Sequence, residues 1–135
     1  KYIVLYPRYT FSTNYLPNAR KKQIGRNLPW EKRDLIYPAV LIGRLGVNNS
    51  FKKMHVGSEL LDYIKQWFVD PDNKTGCRYL VVDAYNQPVP LAFYEANGFK
   101  YMFSSEQQEC EYRKIESVAK LHTRMMYFDL MLLSN

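Results

Sequence analysis

The residues best suited to chemistry in this 135-residue chain lie in a loop, Asn49-Ser50-Phe51-Lys52-Lys53-Met54-His55-Val56-Gly57-Ser58, that runs into an amphipathic stretch. A loop entering a helix exposes backbone N–H groups with no intrahelical partner, together with the positive end of the helix dipole, and so attracts anions. Lys52 and Lys53 add charge just before the helix, and Gly57 lets a phosphate approach the backbone. No strong N-cap side chain competes for the amides, which leaves them to water or a ligand. The pattern suits a phosphorylated ligand; a plain exposed helix start beside two lysines suits it equally.

Charge points the same way. The net charge is +6, yet residues 1–33 hold Lys1, Arg8, Arg20, Lys21, Lys22, Arg26, Lys32 and Arg33 against Glu31 alone, a net of +7, and the remainder is −1. Such asymmetry suggests an anionic partner, nucleic acid or a phosphorylated cofactor, with Arg20, Lys21, Lys22 and Arg26 as the candidate contacts to substrate or nucleic acid; a solvated basic loop is the alternative. Cys77 and Cys110 form no CxxC pair and read as reduced thiols of a cytosolic protein. His55 and His122 are the only histidines, which excludes a histidine-rich metal site. No apolar run approaches the roughly 20 residues of a membrane span, so no membrane partner is expected.

The elements that must position this loop are legible in outline. The length and the 47% hydrophobic, 24% charged composition suit one globular domain, with a large core available from 16% aromatics. Residues 1–6 (KYIVLY) read as a strand closed by Pro7, and 10–35 as a long connection. Residues 39–47 (AVLIGRLGV) read as a buried central strand whose glycines mark a bulge or a close approach. From Val56 the apolar positions Val56, Leu60, Leu61, Ile64, Trp67 and Phe68 describe one helix face, which stops before Asp70-Pro71. A strand at 79–82, a helix over 91–97 with Pro90 as an early position, a strand at 99–103, a polar excursion over 104–122 and a strand at 124–132 complete the chain. The order implies a βαβ unit and an α/β or α+β class with a mixed sheet.

Three segments carry a family resemblance: Arg44-Leu45-Gly46-Val47, Lys52-Lys53-Met54-His55-Val56-Gly57, and Leu91-Ala92-Phe93-Tyr94-Glu95-Ala96-Asn97-Gly98-Phe99. Together they resemble the GCN5-related N-acetyltransferases (GNAT), over roughly residues 39–130. The resemblance implies a mixed, mostly antiparallel twisted sheet with a splayed central parallel pair and flanking helices. It also implies a single domain over 1–135 that lacks the strand and two helices the family places before the region of residues 1–6.

For the site, the resemblance implies acetyl-CoA in the gap between the parallel strands. Leu45, Gly46 and Val47 would pair with its arm, and Lys52, Lys53, His55, Val56, Gly57 and Ser58 would hold its diphosphate. Asn86 or Gln87 would touch the arm, and Tyr94 would protonate the leaving thiolate. Lys52 stands where the family has Gln or Arg, and His55 replaces the first motif glycine, so His55 either crowds the diphosphate or donates to it. For a base that would neutralise the acceptor amine, His122 and Glu95 qualify by type alone. The implied activity is direct acetyl transfer to a primary amine. One narrower form is a toxin of a toxin–antitoxin pair, which the stretch Arg26-Asn27-Leu28-Pro29 also resembles, acetylating the α-amine of aminoacyl-tRNA. The competing class is a non-catalytic module whose cofactor loop is spoiled by His55. A cytoplasmic location and a homodimer complete the expectations.

Overall fold

A computed structural model describes residues 2–12, 36–46, 56–70 and 78–133. In chain order these form β1 (Tyr2–Ser12), β2 (Ile36–Gly46), α1 (Val56–Val69), β3 (Tyr79–Tyr85), α2 (Pro88–Ala96), β4 (Lys100–Tyr101), α3 (Glu106–Arg113), a 3-10 turn (Val118–Lys120), β5 (Thr123–Asp129) and a second 3-10 turn (Leu130–Leu132). The five described strands make one sheet in the order β1-β2-β3-β5-β4. Among them β2 and β3 pair in parallel, and the other three pairings are antiparallel. This is the α/β class with a mixed, mostly antiparallel sheet that the sequence implies.

The central strands are apolar without interruption because helices or loops cover both sheet faces. Side chains alternate across the sheet. Val40, Ile42, Leu80, Val82, Ala84, Met126 and Phe128 bury against Leu61, Ile64 and Phe68 of α1 and Tyr94 of α2. Ala39, Tyr79, Val81 and Tyr127 face the other way, onto Met102, Phe103 and the half-buried Tyr112 of α3.

Besides β2 beginning at Ile36, β3 running on to Tyr85 and α2 beginning at Pro88, three boundaries differ from the sequence reading for a physical reason. β1 does not close at Pro7 but runs on to Ser12. Tyr6 pairs with Leu41 and Tyr9 with Ala39, so Pro7 and Arg8 together oppose Val40 in a bulge, where a missing N–H costs the ladder nothing. The strand expected over 99–103 shrinks to Lys100–Tyr101. Met102 N still donates to Met125 O, but the next edge amide, Met125 N, donates instead to the Glu109 carboxylate at 2.8 Å, so a side chain replaces further strand. The last strand ends at Asp129, whose carboxylate caps the turn that follows by accepting from Met131 N.

The polar excursion holds a true helix, α3. Ser105 caps it by accepting from Gln108 N, and Lys114 closes it in the left-handed region at φ 59°. Glu109 on α3 is fully buried yet has three donors: Arg124 Nε at 2.9 Å, Arg113 Nη2 at 2.8 Å and Met125 N. Arg113 also reaches Asp83 and Thr123, and Arg124 lies over the Tyr101 ring, whose hydroxyl donates to Glu95. A strap of polar contacts thus runs around the free edge of β5, from α2 on one face to α3 and β3 on the other.

Candidate active site

The parallel pairing of β2 and β3 covers only four steps, from Ala39↔Tyr79 to Ile42↔Val82. Both strands continue past it, β2 to Gly46 and β3 to Tyr85. Neither frays. β2 stays paired with β1 out to Gly46↔Tyr2, and β3 stays paired with β5 out to Tyr85↔Thr123. The sheet therefore parts along one seam, between residues 43–46 and 83–85, and leaves main-chain donors and acceptors on the two facing edges without a strand partner.

Leu45 and Gly46 lie on the β2 side of this wedge, opposite Ile3 and Tyr2 of β1. Val56, Gly57 and Ser58 form the first turn of α1, with Gly57 buried and Ser58 half-buried. The N–H groups of a first helical turn have no intrahelical acceptor, so this turn keeps the donors that the sequence assigns to an anion. Asn86 follows β3; its Nδ2 donates to Leu121 O at 3.0 Å and its N to His122 O at 2.8 Å, which leaves its side-chain oxygen to act as an acceptor. Gln87 is the exposed residue before α2, and its side chain makes no cap. Val47, Lys52, Lys53, His55, Arg20, Lys21, Lys22 and Arg26 lie outside the described residues.

Tyr94 sits on α2, and its position is fixed by how that helix ends. Phe99 N donates to Tyr94 O and Gly98 N to Glu95 O, a Schellman closure that requires a left-handed residue. Gly98 supplies it at φ +89°, where a Cβ would also meet Phe128 Cε2 at 3.0 Å. The closure turns Phe99 back onto Tyr94, their ring centroids 5.4 Å apart and edge-on. Tyr94 is 8% exposed, and burial pushes its phenol up to about 12. The hydroxyl has no hydrogen-bond partner among the described residues, and it carries its proton throughout the neutral range.

Of the two base candidates, Glu95 is occupied in accepting from the Tyr101 hydroxyl at 2.6 Å, whereas His122 is exposed beside the end of β3, its carbonyl accepting from Asn86 N at 2.8 Å. Burial, with help from that bond to Glu95, pushes the Tyr101 phenol up to about 12 as well.

Two residues that sequence reasoning passed over meet between α1 and α2. Asn97 Nδ2 donates to Ser58 Oγ at 3.1 Å and to Phe93 O at 2.8 Å. The Lys65 ammonium donates to Asn97 O and lies 4.2 Å from the centre of the Phe128 ring. Burial lowers the Lys65 pKa, with Asp62 opposing. A signal existed for Lys65, which stands four residues after Leu61 on the apolar stripe. None existed for Asn97, which reads simply as a helix stop before Gly98. Among the described residues no group of His, Cys, Asp and Glu is placed to hold a metal ion, and no helix is long and apolar enough to cross a membrane.

No protein-family model matches the chain, and no curated protein matches it. Solved structures do. A tyrosine-to-phenylalanine mutant of KacT is similar at 17% identity and a TM-score of 0.62, over 97% of this chain and 62% of that one. A protein described as a bacterial toxin is similar at 14% identity and a TM-score of 0.60, over 97% and 59% of the two chains. AtaTR bound with AcCoA is similar at 18% identity and a TM-score of 0.51, over 80% and 57%. The chain spans about three fifths of the length of these structures. At such identities the likeness shows the fold.

Proposed function

We propose that this chain is an acetyltransferase domain that uses acetyl-CoA to acetylate a primary amine by direct transfer. The observation that carries the reading is the parting of β2 from β3 beyond Ile42 and Val82, where β2 bulges at Gly43 and then resumes its pairing with β1 while β3 stays paired with β5 throughout. A cleft between two strand edges suits an amide-containing chain, because it can pair with the edges as another strand would. AtaTR, which shares the fold, is described as bound with AcCoA, and this supports the same ligand here.

The edge of β2 and the start of α1 suit that ligand. The edge of β2 at Leu45 and Gly46 would hold the pantetheine arm, and the first-turn amides at Val56, Gly57 and Ser58 would receive the diphosphate. Acetyl-CoA supplies an acyl group already activated as a thioester. The free amides of β2 are fixed donors along the cleft, the arrangement that stabilises developing negative charge most effectively. Tyr94, protonated up to about pH 12, is the proton donor for the departing sulfur.

The acceptor reading that fits best is the α-amine of an aminoacyl-tRNA, as in a toxin-type enzyme. An α-amine titrates near 7.7–8.0 and needs little help to become neutral, whereas a lysine near 10.4 needs a base, and one of the two candidates, Glu95, is already engaged by the Tyr101 hydroxyl. The +7 segment supplies charge for RNA, and one similar structure is described as a bacterial toxin. Incubating the protein with cell extract and isotope-labelled acetyl-CoA, then separating RNA, protein and small molecules for mass spectrometry, tests both levels. Label in the aminoacyl-tRNA fraction supports the full reading. Label in protein or metabolites alone keeps the transferase and overturns the tRNA acceptor. No transfer to any fraction, with no acetyl-CoA binding, overturns the enzyme.

A further inference from the structure

We infer that Asn97 is a positioning residue that locks the diphosphate-facing turn of α1 to the tyrosine-bearing helix α2, so that cofactor binding and the placement of Tyr94 are coupled through one residue; this rests on the acetyl-CoA reading above. Sequence alone gives Asn97 a local task, the end of α2 before Gly98. The structure gives it a second task across the molecule. Its side-chain amide donates at once to Phe93 O, one residue from Tyr94, and to Ser58 Oγ in the first turn of α1. Its main-chain carbonyl accepts from the Lys65 ammonium, also on α1. Helix α1 therefore grips the C-terminal end of α2 at two points, two turns apart, and both grips close on Asn97.

The chemistry of the grip favours an asparagine. The two amide bonds need two donors, for Phe93 O and Ser58 Oγ, and an acceptor cannot replace both. Lys65 complements the negative end of α2, where unpaired carbonyls collect, and its burial against Phe128 and Phe99 makes that contact short-ranged and directional. The ammonium stands 5.8 Å from the centre of the Phe99 ring, the ring that also packs on Tyr94. A shift of the first turn of α1 is thus transmitted to Phe93, Tyr94 and Phe99 together.

The test measures two quantities on the full chain, the affinity for coenzyme A by calorimetry and the ligand-free melting temperature. Asn97→Ala removes both amide bonds and should weaken coenzyme A binding about fivefold to tenfold. Asn97→Asp is the decisive variant. Its carboxylate can accept from the Ser58 hydroxyl but cannot donate to Phe93 O and faces the negative end of α2, and it places negative charge by the first turn of α1, where it competes with a diphosphate. Asn97→Asp should therefore bind coenzyme A more weakly than Asn97→Ala, and the gap in binding should narrow as salt rises. Ser58→Ala should weaken binding in the wild type but add little in the Asn97→Ala background. If the gap in binding between the two Asn97 variants does not change with salt, or if both bind as wild type does, Asn97 only holds the fold and the inference fails. Should Asn97→Ala not fold, the Asn97→Asp comparison with wild type decides by the same salt-dependent loss. A wild-type protein that does not bind coenzyme A overturns the acetyl-CoA reading and the inference with it.

Discussion

The two halves of the β2–β3 pair form a natural contrast within one strand pair. In the closed half, Ala39 to Ile42 faces Tyr79 to Val82, and the side chains of both strands fill the two cores. In the open half the sequence changes to Gly43-Arg44-Leu45-Gly46 against Asp83-Ala84-Tyr85, with Asp83 and Tyr85 exposed. Apolar side chains on both faces hold the first half shut. In the second half Ala84 alone of the β3 residues stays buried and β2 bulges at Gly43, while further pairing with β1 and β5 keeps each strand in place. The same two strands thus provide a rigid floor and an open slot, which suggests a division of labour between stability and binding.

The largest effect that would sharpen this contrast is Leu80→Ala in the closed half. Leu80 is fully buried between its pairs with Val40 and Phe128, and the loss should be about 2–5 kcal/mol in chemical denaturation. Asp83→Ala in the open half, which loses a part-exposed bond to Arg113, should cost less than about 1 kcal/mol. Similar costs at the two positions would remove the division. Tyr94→Phe should lower turnover about 100-fold while coenzyme A affinity changes less than about twofold, as expected when a general acid is lost from an otherwise intact cleft. Equal rates would take Tyr94 out of the mechanism.

The smallest effect is a pH dependence. Tyr94 and Tyr101 keep their protons up to about pH 12 in the folded protein, whereas an unfolded tyrosine releases its proton near 10. Between those values the unfolded chain carries fewer protons, so stability falls as pH rises. Urea denaturation across that window should show a shallower fall for Tyr94→Phe than for wild type. An identical slope would mean that the phenol is not shielded from water.

Much of this was legible in the sequence. The strand–helix–strand–helix order from residue 39, the apolar face of α1 apart from the exposed Trp67, and the Asn97-Gly98 stop each rest on a local rule, periodicity or left-handed backbone, and each was readable. The resemblance in Ala92-Phe93-Tyr94 and Gly98-Phe99 supplied the splayed pair. What escaped depends on contacts between distant residues. The length of β4 is set by Glu109 capturing Met125 N across 16 residues, and the course of β1 past Pro7 by a bulge against Val40. The bond from Asn97 to Ser58 spans 39 residues and leaves no mark on local periodicity. For α3, Ser105 and Gln108 stood at capping spacing within the polar excursion, which without an apolar stripe read equally as a loop or an appended helix.

Amide hydrogen exchange with and without coenzyme A tests the central claim most directly, because it reads both halves of the strand pair in one experiment. Amides in 43–46 and in the first turn of α1 should gain protection when coenzyme A is added, while those in 39–42 and 79–82 are already protected and should not change. Protection gained elsewhere with 43–46 unaltered, or no change at any amide, would contradict a cofactor cleft between β2 and β3.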